Sequence, residues 1–144
     1  MTDRLAGAVL GAFAADSLAL GVHWIYNPTR IVRLVGRIAA PVEPVAGAKK
    51  WHPNRTAGQF THYGDQMLVL LESVREKGGF DLAEFSRRWR SFFASYEGYF
   101  DHATKDTLQN FASEASPETS GSGSTDLGGA SRTPALVYGC GENV

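Results

Sequence analysis

Thr2-Asp3-Arg4-Leu5-Ala6-Gly7-Ala8-Val9-Leu10-Gly11-Ala12-Phe13-Ala14-Ala15-Asp16-Ser17-Leu18-Ala19-Leu20 is the stretch that decides the fold. Leu5, Val9, Ala12, Phe13, Asp16 and Leu20 recur at helical spacing and share one face. Thr2 or Asp3 supplies an N-cap, and Gly21 can end the helix. Gly7, Gly11 and Ala15, four apart, form a small-residue stripe that would let another backbone approach closely. One carboxylate, Asp16, interrupts the apolar face. A buried charge needs donors or a proton. Asp16 therefore reads equally well as a cap on a neighbouring helix or as a polar wall of a ligand pocket.

The same stretch raises the question of a membrane span, because Leu5 to Tyr26 carries a single acidic group and a GxxxG pair. Alanine and glycine outnumber leucine there, and a carboxylate at mid-bilayer costs about 2.5–3.5 kcal/mol. A buried core helix in a protein with no membrane contact is the expectation. The chain has 144 residues, about one domain's worth, and a net charge of −1. No face is basic enough to collect phosphates by counterion release, so no nucleic-acid partner is expected. Arg87, Arg88 and Arg90 spread around one helix and read as its solvated face. The lone Cys140 forms no internal disulfide, and no leader pattern opens the chain, which together suggest a cytoplasmic protein.

Four further helical segments follow, giving an all-α class with no convincing strand. Asn27-Pro28 is an N-cap with proline at the first helical position, and Gly36 ends that segment. Arg37 to Tyr63 is irregular and holds Pro41, Pro44 and Pro53, with Trp51, His52, Phe60, His62 and Tyr63 favouring an ordered surface or a pocket wall. The third helix is expected from Gly64 to Lys77, stopped by Gly78-Gly79. Asp81 and Glu84 have capping-box spacing before the aromatic stripe Phe85, Trp89, Phe92, Phe93 and Tyr96, which reads as core. Asp101 caps a fifth segment, Ala103 to Phe111. Ser116 to Ser124 alone reads as a linker. Asp126 then looks like the N-cap of a glycine-rich turn leading into Pro134–Tyr138, with nothing left for the final residues to pack on.

Three places could carry chemistry besides Asp16. His23, in His23-Trp24-Ile25-Tyr26, is a pocket-lining or rim residue. Gly64-Asp65-Gln66 groups a carbonyl, a carboxylate and an amide, an oxygen set that hard cations favour, although an Asp at a helix start is also expected for dipole reasons. Ser124 and the Gly128-Gly129 turn could cradle an anion on free backbone N–H groups. Neither a P-loop nor a dinucleotide fingerprint is present. No HExxH, CxxC or GxSxG motif occurs either.

Four stretches together resemble the ADP-ribosylglycohydrolase family, in particular its J1-crystallin-related branch. They are Asp3–Ala8 leading to Ala15-Asp16-Ser17-Leu18-Ala19-Leu20-Gly21; His23–Tyr26; Tyr63-Gly64-Asp65-Gln66; and Ser122-Gly123-Ser124 through Asp126–Arg132. The resemblance implies a compact all-α globule over residues 1–144, corresponding to the family's N-terminal half. It implies a hydrolase that cleaves an ADP-ribosyl N- or O-glycosidic bond with magnesium. The non-catalytic crystallin-like binder and the inactive, self-associating fragment are its alternatives. Carried over residue by residue, it assigns Asp16, His23, Gly64, Gln66, Ser124, Gly128 and Gly129 to substrate binding and Asp65 to the metal, and it names no catalytic residue. Departures are specific. Ala15 stands where the family motif has glycine. Tyr63-Gly64-Asp65-Gln66 stands where active members read Thr-Asp-Asp-Thr. The family's second Asp-x-Asp metal cluster has no counterpart in this sequence.

Overall fold

The computed structural model describes residues 2–140. It contains seven α-helices and one 3-10 turn, with no strand among the described residues. They are α1 (Thr2–Leu20), α2 (Pro28–Val35), α3 (Ala46–Lys49), α4 (His62–Lys77), α5 (Leu82–Ala94), α6 (His102–Ala112), the 3-10 turn Leu127–Arg132 and α7 (Thr133–Cys140). The all-α class stands as the sequence implied. No helix among the described residues is long and apolar enough to cross a membrane.

Helix α4 is the axis of the molecule and meets α1, α5, α7 and the 3-10 turn. Its Met67, Leu70 and Val74 are buried and pack with Ala135 of α7 into one core cluster. Ala12 and Phe13 of α1, Phe85 of α5 and Leu136 of α7 close over it. Each such large side chain contributes roughly 1.5–3 kcal/mol by leaving water. On α1 the predicted face is the packed one, with Val9 and Leu20 buried and Leu5, Ala12, Phe13 and Asp16 partly so. The small-residue stripe turns the other way. Gly7, Gly11 and Ala15 are exposed, and no atom of another element lies within 4 Å of a Cβ built on either glycine.

Local signals set most helix ends. Asn27 Oδ1 accepts from Arg30 N at 3.0 Å, with Pro28 at the first position. Asp81 Oδ1 accepts from Glu84 N at 2.9 Å, and Asp101 Oδ1 from Thr104 N at 2.8 Å. Glu84 does not complete a capping box, because its carboxylate is held by Arg87 and Arg88 of the same helix.

Four readings change. The Arg37–Tyr63 stretch contains α3, a single turn too short to show a period, whose Ala48 is fully buried. Helix α4 starts at His62, two residues before Gly64, because Thr61 caps it by accepting from Tyr63 N at 3.1 Å. Asp126 makes no side-chain cap, and its glycine-rich turn is 3-10 rather than α. Helix α7 does find a surface to pack on: it lies across α4 and α1, with Ala135 wholly buried and Gly139 directly against Val74. The sequence-predicted cap at Thr2 or Asp3 and the segment 141–144 fall outside the described side chains.

Candidate functional site

The residues singled out in the sequence fall in four places, three of them reached from the first turns of α4. Helix geometry explains the division. Successive residues turn by about 100°, so Gly64, Asp65 and Gln66 leave the first turns of α4 in three directions.

Gly64 faces α1. Asp16 Oδ2 accepts from the Thr61 backbone N–H at 2.8 Å, and Asp16 Oδ1 accepts from the Thr61 hydroxyl at 2.6 Å. The carboxylate thus anchors the residue that caps α4, across 45 positions of sequence. Burial raises its pKa, and the Thr61 hydrogen bonds oppose that. A Cβ at Gly64 would lie 2.9 Å from Asp16 Cγ and 2.8 Å from Phe60 Cβ. Glycine is what lets the two helices close. Gly64→Ala is expected to lower stability by about 1–3 kcal/mol through overpacking, read as a shift of the urea midpoint at constant slope; an unchanged midpoint would show that the contact yields freely.

Gln66 faces α5 and is 1% exposed. Its Oε1 accepts from Trp89 Nε1 at 2.8 Å and from Arg132 Nη1 at 2.6 Å. Both partners are donors only, so the amide oxygen is fixed and Nε2 must donate to His62 Nδ1, at 3.0 Å. The His62 proton then sits on Nε2, which is buried without a partner. Burial lowers the pKa of His62 to about 4, so the ring is neutral. Gln66 borders a cavity of about 370 Å³ between α4, α5, α6 and the segment 117–132. Phe85, Trp89 and Phe111 form an apolar wall; Arg132, Asp101, Tyr63 and Ser120 form a polar one. Ser124, Gly128 and Gly129 line the same cavity.

The Ser116–Ser124 stretch does not hang free as its composition suggests. Asn110 Nδ2 donates to the carbonyls of Ser120 (3.0 Å) and Gly121 (3.2 Å), and Ser120 is 4% exposed. Tyr63 donates its hydroxyl to Asp101 Oδ2 at 2.9 Å. Gly128 packs over that pair, where an added Cβ would stand 2.9 Å from Tyr63 Cε1. Burial pushes Asp101 up, but hydrogen bonds from Thr104 and Tyr63 prevail and hold it below the usual carboxylate value. Burial lowers the pKa of Arg132, partly offset by the Asp101 charge, and Arg132 forms no ion pair among the described residues.

Asp65 points the third way, to a second cavity of about 400 Å³. Its Oδ2 accepts from Arg55 Nη2 at 2.5 Å and from the Tyr96 hydroxyl at 2.8 Å. Burial raises its pKa, and both partners oppose the rise. The donor chemistry does not fit the magnesium site that the resemblance implies. The carboxylate already balances a guanidinium, and no group of three His, Cys, Asp or Glu side chains among the described residues could hold a metal ion. His23 stands apart as well. Its Nδ1 meets His52 Nε2 at 2.8 Å, and its ring stacks on that of His52 and meets Tyr63 edge-on.

Three residues emerge that the sequence left unassigned to the site, beside Tyr63, which it read only as a possible pocket wall. Arg132 lay inside the motifs and could have been read as an anion-binding cation. Asp101 was legible only as a cap. Arg55 lies in aperiodic sequence and gave no signal.

The ADP-ribosylglycohydrolase family model matches residues 1–143. Crystallin J1B and crystallin J1A of Tripedalia cystophora are each 28% identical over 108 residues, covering 74% of this chain and 33% of the relative. The chain therefore spans about a third of the length of these curated relatives. No solved structure matches at a significant level. With the family model extending over nearly every residue and the helical architecture in accord with it, the chain belongs to the ADP-ribosylglycohydrolase family.

Proposed function

We propose that this chain binds an ADP-ribosyl group in the cavity bounded by Gln66, Arg132 and the Ser120–Gly129 segment, as the ligand-holding part of an ADP-ribosyl hydrolase. The observation that carries this reading is Arg132, a half-buried guanidinium that lies against the Gly128-Gly129 turn and forms no ion pair among the described residues. Such a cation favours an anionic group, and the Phe85–Trp89–Phe111 wall suits a flat ring. A cavity of about 370 Å³ has the capacity of a small-molecule site. Gln66, Ser124, Gly128 and Gly129 act here as contacts. Asp16, Gly64 and His23 act at one remove, by fixing the start of α4 and its flank.

Hydrolysis is the family-level activity. A magnesium-assisted step finds no donor set among the described residues. A second reading, binding without turnover, is favoured by the engagement of Asp65 with Arg55 and accords with relatives named as crystallins.

Calorimetric titration with ADP-ribose tests the binding. Saturable binding is expected, and Gly128→Val should weaken it by about tenfold, because the added side chain displaces Tyr63 and narrows the cavity; tenfold corresponds to about 1.4 kcal/mol. No heat of binding to the unaltered chain would sink the reading. Release of ADP-ribose from an ADP-ribosylated protein would separate the hydrolase from the binder.

A further inference from the structure

Arg55, Asp65 and Tyr96 close a three-membered ring of hydrogen bonds. One guanidinium nitrogen, Arg55 Nη2, donates to Asp65 Oδ2 at 2.5 Å and to the Tyr96 hydroxyl at 2.6 Å. The hydroxyl passes its own proton toward the same carboxylate oxygen, at 2.8 Å. The guanidinium carbon also stands 5.4 Å from the Tyr96 ring centroid, within cation–π range. Arg55 and Asp65 side chains are only 20% and 15% exposed, so the pair is screened far less than a surface ion pair. Each partner comes from a different element: the segment between α3 and α4, the first turn of α4, and the residues just after α5.

A divalent cation at Asp65 would have to expel this guanidinium or sit beside it. Expulsion leaves a partly buried positive charge without its carboxylate, which is costly. Sitting beside it sets like charges together around a single carboxylate. Asp16 offers no relief, since both its oxygens are taken by Thr61.

We propose that Arg55 is the resident cation of the Asp65 site: its guanidinium occupies the charge-balancing position at the carboxylate, and the site takes no divalent metal. The ring does mechanical work instead, clasping the aperiodic segment and the end of α5 to the start of α4.

Manganese serves as the probe, followed by the electron paramagnetic resonance signal of the free ion and by thermal unfolding. With the unaltered chain, millimolar manganese should remain free and leave the unfolding midpoint unchanged. Arg55→Met frees the carboxylate and should acquire manganese-dependent stabilisation that Asp65→Asn removes. In a double-mutant cycle by urea unfolding, Arg55→Met and Asp65→Asn should be coupled on the order of tenfold in the folding constant. If Asp65→Asn does not fold, Arg55→Lys carries the test; it keeps a charge at the carboxylate and should continue to exclude manganese. Manganese retained equally by the unaltered chain and Asp65→Asn lies elsewhere and supports the proposal. Saturable binding by the unaltered chain that Asp65→Asn abolishes would overturn it, as would additive effects in the cycle. No arm uses a nucleotide, so the result is independent of whether the first cavity binds ADP-ribose.

Discussion

Replacing Gln66 by leucine is expected to destabilise the chain by about 3–5 kcal/mol, since three groups lose a hydrogen-bond partner at about 1–3 kcal/mol each. Leucine preserves much of the volume, so little of the loss comes from a cavity. The cost lies in three stranded groups: the Trp89 N–H, His62 Nδ1 and above all Arg132 Nη1, each bonded to the amide at 2.6 to 3.0 Å. Trp89→Phe, which removes one neutral donor with the pyrrole half of the indole and keeps one aromatic ring, strands no charged group and should cost less. Urea unfolding followed by circular dichroism and by tryptophan fluorescence measures both. A loss below about 1 kcal/mol for Gln66→Leu, the worth of an ordinary neutral hydrogen bond, would mean that water replaces the amide and that the network is not sealed.

Acidification is expected to produce the second large effect. His23, His52 and His62 each have a pKa lowered from 6.5 to about 4, with burial the leading cause in every case. Between these values the unfolded chain binds protons that the folded chain refuses. Stability is therefore complete above pH 6.5 and falls as the pH drops toward 4. His62, wholly buried, accounts for roughly 3 kcal/mol of that fall. His23 and His52 share a hydrogen bond and add to it as a coupled pair. Asp16 and Asp65 work in the opposite sense. Their raised values mean that the folded state takes up protons more readily, so acid relieves part of their burial cost above 3.8. Three histidines against two carboxylates leave a net acid limb. Urea midpoints measured from pH 7.5 down to 4.5 should decline steadily, and His23→Gln should flatten the slope by up to one proton. A flat profile would show that the cluster is hydrated and ionises normally.

What was legible in the sequence was local. The period of α1 marked the correct buried face, and Asn27, Asp81 and Asp101 marked helix starts, because a cap depends on groups two or three residues away. What failed was tertiary. Of the two readings of Asp16, the cap on a neighbouring helix is the one observed, but which helix was illegible: Thr61 is remote in sequence and comes near only after α1 and α4 pack. The aligned motifs brought Gln66 and the Gly128-Gly129 turn to one cavity, yet Asp65 and Gln66, adjacent in the chain, diverge because a helix turns between them. Helix α3 has too few residues to display a period. Arg55 belongs to no periodic element, and its meaning depends on which carboxylate and which phenol fold up against it.

The seating of α7 across α1 and α4 carries a consequence for how the molecule is made. Residues 133–140 leave the ribosome long after α1 and α4, yet they supply the surface that Met67, Leu70 and Val74 require. Contacts joining chain segments so far apart close late and fold slowly. Until α7 is made, the part of α4 that Ala135 and Leu136 cover stays open even after α1 and α5 have packed, an exposed apolar surface of the kind that chaperones shield. Gly139 presses against Val74, and its lack of a side chain is what permits so close an approach in an already crowded place.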